Sequence, residues 1–109
     1  MDLTKLSGEV GTWARRNFGP GTEMGYGSLL GVVEEVGELS HAHLKQLQGI
    51  RGTAEQHSDA ARDAIGDIVI YLADYCYMRG FDFEQTVAET WAKVSQRDWK
   101  ANKLNGEKG

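Results

Sequence analysis

The stretch DAIGDIVIYLADY, from Asp63 to Tyr75, places an aspartate inside an apolar run. The apolar residues of this run recur at helical spacing, which predicts an amphipathic helix. Asp67 nevertheless has isoleucines close on both sides, Ile65 and Ile68. An unpaired carboxylate that is removed from water costs several kcal/mol, even after the protein relaxes around it. The fold must therefore give Asp67 a partner cation, a metal ion or a raised pKa.

The composition predicts one globular domain spanning residues 1–109. Hydrophobic residues make up 40% and charged residues 26% of the 109-residue chain, which are values typical of globular domains. Neither a secretory signal nor an apolar stretch of about 20 residues is visible, so we expect no membrane partner. With Cys76 as the single cysteine, no internal disulfide can form, and a cytoplasmic location fits best.

The charge distribution argues against nucleic acid as a partner. The net charge is -4, and the lysines and arginines are spread along the chain apart from a modest concentration between Lys93 and Lys103. Non-specific binding of DNA or RNA needs a broad basic surface. A small polyanion that is held through a metal ion remains compatible with an acidic protein, because the ion reverses the local charge.

The pattern of apolar residues predicts an all-α fold of four helices. Pro20 is the only proline, and strand-like alternation is lacking. The predicted helices run from about Leu3 to Asn17, from an N-cap at Ser28 to Gln48, from a cap at Ser58 or Asp59 to Met78, and from Asp82 to Lys100. The glycine-rich segment GPGTEMGYG is predicted to be a loop, and residues 101–109 are predicted to be a frayed tail.

Acidic residues are concentrated on the second and third predicted helices. Glu34, Glu35 and Glu38 lie within five residues of one another, and by themselves they are more typical of a solvated acidic face. On the next helix, Asp63 and Asp67 lie four residues apart and share a face, with Asp59 and Asp74 further along the same stripe. Two helices that each present carboxylates toward the other can form a site for a hard cation.

Three segments carry a resemblance to a known family. EEVGEL, then DAIGDIVIYLADY about 30 residues later, then AKVSQRDW, together resemble the MazG-like nucleoside triphosphate pyrophosphohydrolases of the all-α NTP pyrophosphatase superfamily. That superfamily also includes dimeric dUTPases and phosphoribosyl-ATP pyrophosphatase. The resemblance covers roughly Leu29 to Trp99. It implies a four-helix bundle-like, oligomeric fold of the MazG type.

The resemblance also implies a chemistry. Members of the family use Mg²⁺ to cleave a nucleoside triphosphate between its α- and β-phosphates. For this chain the resemblance implies Mg²⁺ as the cofactor, with Mn²⁺ as the alternative. By position, Glu35, Glu38 and Asp67 would be metal ligands. Glu34 would support a second metal or orient the attacking water. A basic pair on the last helix would contact phosphates, and it corresponds to Lys93 and Arg97.

The second acidic motif departs from the family pattern. Three residues before Asp67 the pattern expects glutamate, and this chain has Ala64. An acid, Asp63, lies one position earlier and about one turn from Asp67. Our hypothesis is that Asp63 substitutes as a metal ligand, with a weakened metal position as the alternative.

Further residues are assigned to catalysis and substrate binding as expectations. Phosphoryl transfer depends on charge neutralisation and alignment, and either Glu34 or Glu35 would act as the general base. His41 and Lys45 either belong to a solvated helix side or lie at the mouth of the site against phosphate. Among the aromatic residues, most of which are expected to pack, Trp13 is the candidate to stack on a nucleobase.

Apolar surface left uncovered by helices of this length predicts a homodimer or a dimer of dimers. Several functions remain open at this point. The same scaffold could act on phosphoribosyl-ATP, dUTP or dCTP instead of common triphosphates. It could also be a nucleotide-binding or helical interaction module that has lost turnover through Ala64.

Overall fold

The computed structural model describes residues 1–19 and 26–107, and in these ranges it contains α-helices and no strand. The helices are α1 (Leu3–Phe18), α2 (Tyr26–Gln48), α3 (Ala54–Arg79) and α4 (Phe83–Val94). The all-α prediction is confirmed for this part of the chain. None of the helices found there combines the length and the apolar character that crossing a bilayer requires.

The start of α3 differs from the prediction. We expected a cap at Ser58 or Asp59, and the helix instead begins at Ala54. The reason is a capping box, in which the backbone N–H of Gln56 donates to Oγ1 of Thr53 at 3.1 Å. The side-chain Oε1 of Gln56 in turn accepts from the backbone N–H of Thr53 at 2.9 Å. These two bonds satisfy donors that a helix start otherwise leaves unpaired, so the helix extends into a polar stretch.

The prediction that Ser28 caps α2 is also wrong. The helix begins at Tyr26, so Ser28 lies in its first turn. There Ser28 is 3% exposed, and its hydroxyl donates to the carboxylate of Asp74 on α3. Most of the predicted glycine-rich loop, residues 20–25, lies outside the described residues.

The last helix is shorter than predicted. We expected it to reach Lys100, and it ends at Val94. Beyond it, residues 95–107 form hydrogen-bonded turns, in which the backbone N–H of Asp98 donates to the Gly106 carbonyl at 2.7 Å and that of Gly106 donates to the Asn102 carbonyl at 3.0 Å. The predicted frayed tail overlaps this segment up to residue 107.

Helices α2 and α3 form an antiparallel pair that glycine brings close together. Gly31 faces the ring of Tyr71, where a Cβ atom would lie only 2.3 Å from the ring carbon Cε1. Three residues earlier on α2, Ser28 contacts Asp74, which lies three residues later on α3. These two contacts define an antiparallel register, in which each step along α2 corresponds to one step backward along α3.

A small core joins α1 and α4 to α3. It consists of the buried residues Val10, Ala73, Cys76 and Phe83, against which partly buried leucines and valines pack. Burial raises the pKa of the Cys76 thiol, which keeps it protonated and unreactive. Among the described helices α2 packs only on α3. Within this part of one chain the helices therefore form an open arrangement and do not close into a four-helix bundle.

The packing of α1 on α3 leads to a prediction at two glycines of α1. A Cβ atom on Gly11 would lie 2.0 Å from the Tyr77 ring, whereas one on Gly8 would have no neighbour within 4 Å. We expect Gly11→Ala to destabilise the protein by about 1–3 kcal/mol through overpacking. Gly8→Ala should stabilise it by about 0.5–1 kcal/mol through helix propensity. Urea unfolding of both variants measures the difference, and equal effects would contradict the described packing.

Candidate metal and nucleotide site

A cavity between α2 and α3 is lined by the four carboxylates that were predicted to be metal ligands. Its volume is about 520 Å³. Helix α2 contributes Glu35 and Glu38, and helix α3 contributes Asp63 and Asp67. The antiparallel register explains why these four carboxylates lie together. The pair on α2 has i, i+3 spacing, the pair on α3 has i, i+4 spacing, and the two pairs face each other across the helices. We refer to this space as the acidic cavity.

Asp67, the aspartate inside the apolar run, receives no cation from the described part of the chain. The ion pairs found there join Arg15 to Asp74 and Arg62 to Asp59. Asp67 is only half-buried, and its charge contributes to raising the pKa of Glu35. No ion pair in residues 1–19 and 26–107 involves Asp67.

The electrostatic consequence appears at Glu35. Desolvation raises the pKa of this carboxyl above its ordinary value, and the charges of Asp67, Glu34, Glu38 and Asp63 raise the pKa further, in that order. Nearby like charges disfavour the ionised form of a carboxyl group, which here is Glu35. A bound cation would relieve this repulsion.

The raised pKa predicts a pH-dependent effect of Glu35→Gln. The folded protein holds the proton more tightly than the unfolded chain, so ionisation of Glu35 costs stability as the pH rises above the ordinary glutamate value of 4.5. In EDTA we expect Glu35→Gln to melt higher than the wild type at mildly alkaline pH. The difference should vanish in acid, where both states are protonated.

Thermal melts across this pH range, with Glu9→Gln as a control, check the prediction. Glu9 is an exposed carboxylate on α1 and its replacement should leave the melting temperature unchanged at each pH. Added Mg²⁺ should raise the melting temperature of the wild type more than that of Glu35→Gln. A variant no more stable than the wild type at any pH would show that the repulsion is not significant.

The carboxylate oxygens of the acidic cavity are chemically suitable ligands for Mg²⁺. Carboxylate oxygens are the ligands that hard cations prefer, and the repulsion at Glu35 is the kind that a cation neutralises. In the described parts of the chain, however, no group of three His, Cys, Asp or Glu side chains is close enough together to hold a metal ion. The acidic cavity thus contains suitable ligand oxygens, but in the described residues they are too far apart for three of them to coordinate one ion together.

The two positions that depart from the family pattern both line the acidic cavity. Ala64 is 2% exposed and is buried in the cavity wall, whereas Asp63 is exposed and lines the same space. A short, buried alanine supplies no oxygen to the cavity. The neighbouring carboxylate of Asp63 is therefore the acid that this part of α3 offers in its place.

A second cavity adjoins the first and is mainly apolar. It has a volume of about 440 Å³ and is enclosed by α1, the start of α2 and α3; its apolar and aromatic lining consists of Val10, Trp13, Ala14, Phe18, Ile70 and Tyr71. Trp13 is 46% exposed and makes an edge contact with the ring of Phe18, with centroids 5.6 Å apart. Glu35 and Asp67 line both cavities. We call this second space the aromatic cavity.

A partly buried ion pair lies at the wall of the aromatic cavity. Nη2 of Arg15 donates to both carboxylate oxygens of Asp74, at 2.9 Å and 3.0 Å, and the Ser28 hydroxyl donates to the same carboxylate. The sequence predicted Asp74 to lie on the acidic stripe with Asp67. The structure instead gives it the guanidinium of α1, which joins the first three helices at one point.

The remaining predicted residues are distributed over several places. His41 lines the acidic cavity. Glu34 is exposed and lines neither cavity. Desolvation raises the pKa values of Glu35 and Tyr71, and the charge of Glu34 adds to both shifts. Lys45 donates to Oε1 of Gln48 at 2.9 Å, one turn along its own helix.

Lys93 and Arg97 are not brought to the carboxylates within this chain. They line a separate cavity of about 320 Å³ beside Gly106 and Glu107. Conversely, three residues that sequence reasoning did not select do line the acidic cavity: Arg51, Gln56 and His57. The glycines that flank Arg51, in GIRG, were the available signal that its backbone is unusual.

Comparison with known proteins finds no matching family model, and no curated protein or solved structure with significant similarity. The residues of the acidic and aromatic cavities, together with the motif resemblance, are what support a functional proposal.

Proposed function

We propose that the protein is a Mg²⁺-dependent pyrophosphohydrolase of the MazG-like type, which cleaves nucleoside or deoxynucleoside triphosphates between the α- and β-phosphates. The observation that carries this proposal is the shared wall of the two cavities, since Glu35 and Asp67 line both. The aromatic cavity adjoins the acidic cavity, and a nucleotide likewise has an aromatic base at one end and an anionic phosphate chain at the other, joined by a sugar. A substrate with its base in the aromatic cavity would place its first phosphate at these carboxylates.

Glu35, Glu38 and Asp67 are the proposed metal ligands, with Asp63 in place of the acid that Ala64 lacks. Bound there, Mg²⁺ or Mn²⁺ would supply neutralisation of the phosphate charge and a lowered pKa for the attacking water. The four carboxylates carry the negative charge that selects a divalent cation over a monovalent one. Their repulsion in its absence, seen at Glu35, favours binding.

A carboxylate is also the proposed general base, and the geometry supports Glu35 over Glu34. Glu35 lines both cavities, whereas Glu34 lines neither. Glu34 would then act through its charge on Glu35.

Trp13 is the proposed stacking partner of the base. Its exposed ring lies at the aromatic cavity beside Phe18, and stacking on tryptophan tolerates any base. On the phosphate side, His41 is the neighbour from α2. Phosphate contacts by Lys93 and Arg97 would require a second subunit, since in one chain they line a different cavity.

We propose that a second copy covers the outward face of α2, which gives a homodimer or a dimer of dimers. The radius of gyration is 17.4 Å, against about 13 Å for a compact domain of this length. The large apolar side chains that α2 exposes are Leu29, Leu30, Val33, Val36, Leu44 and Leu47. A stable monomer in size-exclusion chromatography with light scattering would contradict this.

The activity is tested by following pyrophosphate release from each common NTP and dNTP, and from phosphoribosyl-ATP, with and without Mg²⁺ or Mn²⁺. We expect release that depends on the metal and is sensitive to EDTA, in keeping with a cytoplasmic enzyme of nucleotide metabolism. A second candidate is a nucleotide-binding protein without turnover, which the alanine at position 64 favours. Metal-dependent nucleotide binding with no release would support that candidate.

A further inference from the structure

The short connection between α2 and α3 holds one arginine in an unusual backbone conformation. Arg51 has φ 64°, and in residues 1–19 and 26–107 it is the one non-glycine residue with a positive φ. The left-handed region is unfavourable for a residue with a Cβ atom, and single residues adopt it only where surrounding contacts impose it. Strained residues of this kind are concentrated at functional sites.

The first turn of α3 makes hydrogen bonds to the loop on both sides of Arg51. Before it, the ring nitrogen Nε2 of His57 lies 2.9 Å from the Ile50 carbonyl oxygen in a hydrogen bond, and His57 is 8% exposed. After it, the backbone N–H of Thr53 donates to Oε1 of Gln56 at 2.9 Å. His57 and Gln56 also line the acidic cavity.

Arg51 lies at the acidic cavity, and its side chain takes part in no ion pair in the described part of the chain. It lines the cavity and is exposed. Neither of the ion pairs found in that part involves it, although the cavity holds four carboxylates. An arginine fork matches the oxygens of phosphate in a bidentate manner.

The position of Arg51 along the helix pair selects which phosphates it can contact. Arg51, Gln56 and His57 line the acidic cavity alone, whereas Glu35 and Asp67 also line the aromatic cavity. The arginine is therefore on the side of the carboxylates that is remote from the base. We propose that Arg51 binds the β- and γ-phosphates, the half of the triphosphate that leaves as pyrophosphate. This inference rests on the proposed function.

Isothermal titration with Mg²⁺-pyrophosphate tests the inference without knowledge of the preferred base. Arg51→Gly removes the guanidinium and places glycine where φ is positive, so the loop conformation is retained. We expect it to weaken pyrophosphate binding by about ten- to a hundredfold, the range for hydrogen bonds to a charged group. Its affinity for nucleoside monophosphates should be unchanged.

Two further variants sharpen the experiment. Arg51→Lys keeps the charge without the fork and should lie between wild type and Arg51→Gly. Arg16→Gln removes an exposed arginine of α1 that lines none of the three cavities, and it should bind pyrophosphate like the wild type. Thermal melts of all variants verify folding.

The outcomes separate this inference from the proposed function. Active wild-type protein whose pyrophosphate affinity is unaffected by Arg51→Gly overturns the role of Arg51 alone. An equal loss of monophosphate affinity also overturns it, because the arginine would then act on the whole site. Wild-type protein that neither binds Mg²⁺-pyrophosphate nor releases pyrophosphate from any nucleotide overturns both proposals.

Discussion

Replacing Asp67 by asparagine is expected to lower the rate of pyrophosphate release by about a hundredfold or more while leaving the protein folded. Partners that only support metal ligands already contribute 10–100-fold to activity, and Asp67 is proposed as a ligand itself. The change is nearly isosteric. It breaks no ion pair in the described residues, so the metal-free protein should lose no stability.

The measurement is kcat/KM at saturating Mg²⁺, with Asp59→Asn as the matched control. Asp59 lies on the same helix, is exposed and pairs with Arg62, and it lines neither the acidic nor the aromatic cavity. Its replacement should change kcat/KM by less than a factor of about two. Asp63→Ala, measured in parallel, should also lose Mg²⁺ affinity and turnover. Full activity of Asp67→Asn would contradict the proposal that these carboxylates bind a catalytic metal ion.

The second large effect is expected at the ion pair of Arg15 and Asp74. Asp74→Ala should lower the free energy of unfolding by about 1.5–3 kcal/mol, the range for hydrogen bonds to charged groups, because Asp74 is buried and Arg15 is partly buried. It leaves the Arg15 guanidinium, with 22% of its side chain exposed, without its anion. The buried Ser28 hydroxyl loses its acceptor as well. Domains of this size are stable by only about 5–15 kcal/mol.

Urea unfolding of Asp74→Ala and of the control Asp59→Ala compares the loss of two ion pairs whose aspartates lie on the same helix. Both remove an aspartate from an ion pair with arginine, but the side chains of Asp59 and Arg62 are 60% and 76% exposed. Exposed pairs contribute about 0–1 kcal/mol, so Asp59→Ala should be nearly neutral. Similar losses in the two variants would mean that the contact between α1 and α3 does not depend on the ion pair of Arg15 and Asp74.

The helices were predictable where apolar residues recur at helical spacing, and their ends were not. The start of α3 depends on a capping box at Thr53 and Gln56, a local signal that polar neighbours and the glycines before it obscured. The end of α4 at Val94 precedes irregular turns that are held by bonds within the segment, such as that from Asp98 to Gly106. Such bonds have no periodic signature.

The carboxylate cavity was predictable because its spacing is local. Glu35 and Glu38 share a face through i, i+3 spacing, and a short loop makes the next helix antiparallel to theirs. The ion pair of Asp74 could not be predicted, because its partner Arg15 is 59 residues away and no sequence pattern shows which arginine approaches which acid. Arg51 was missed for a related reason, since its place at the cavity depends on a loop that is held by the bond between His57 and Ile50.

The most direct test of the central claim is the identity of the products, followed by ³¹P NMR after incubation with the panel of triphosphates and Mg²⁺. We predict a nucleoside monophosphate and pyrophosphate for at least one substrate, with no products in EDTA or with Asp67→Asn. A nucleoside diphosphate with inorganic phosphate, or no reaction with any nucleotide, would contradict the account.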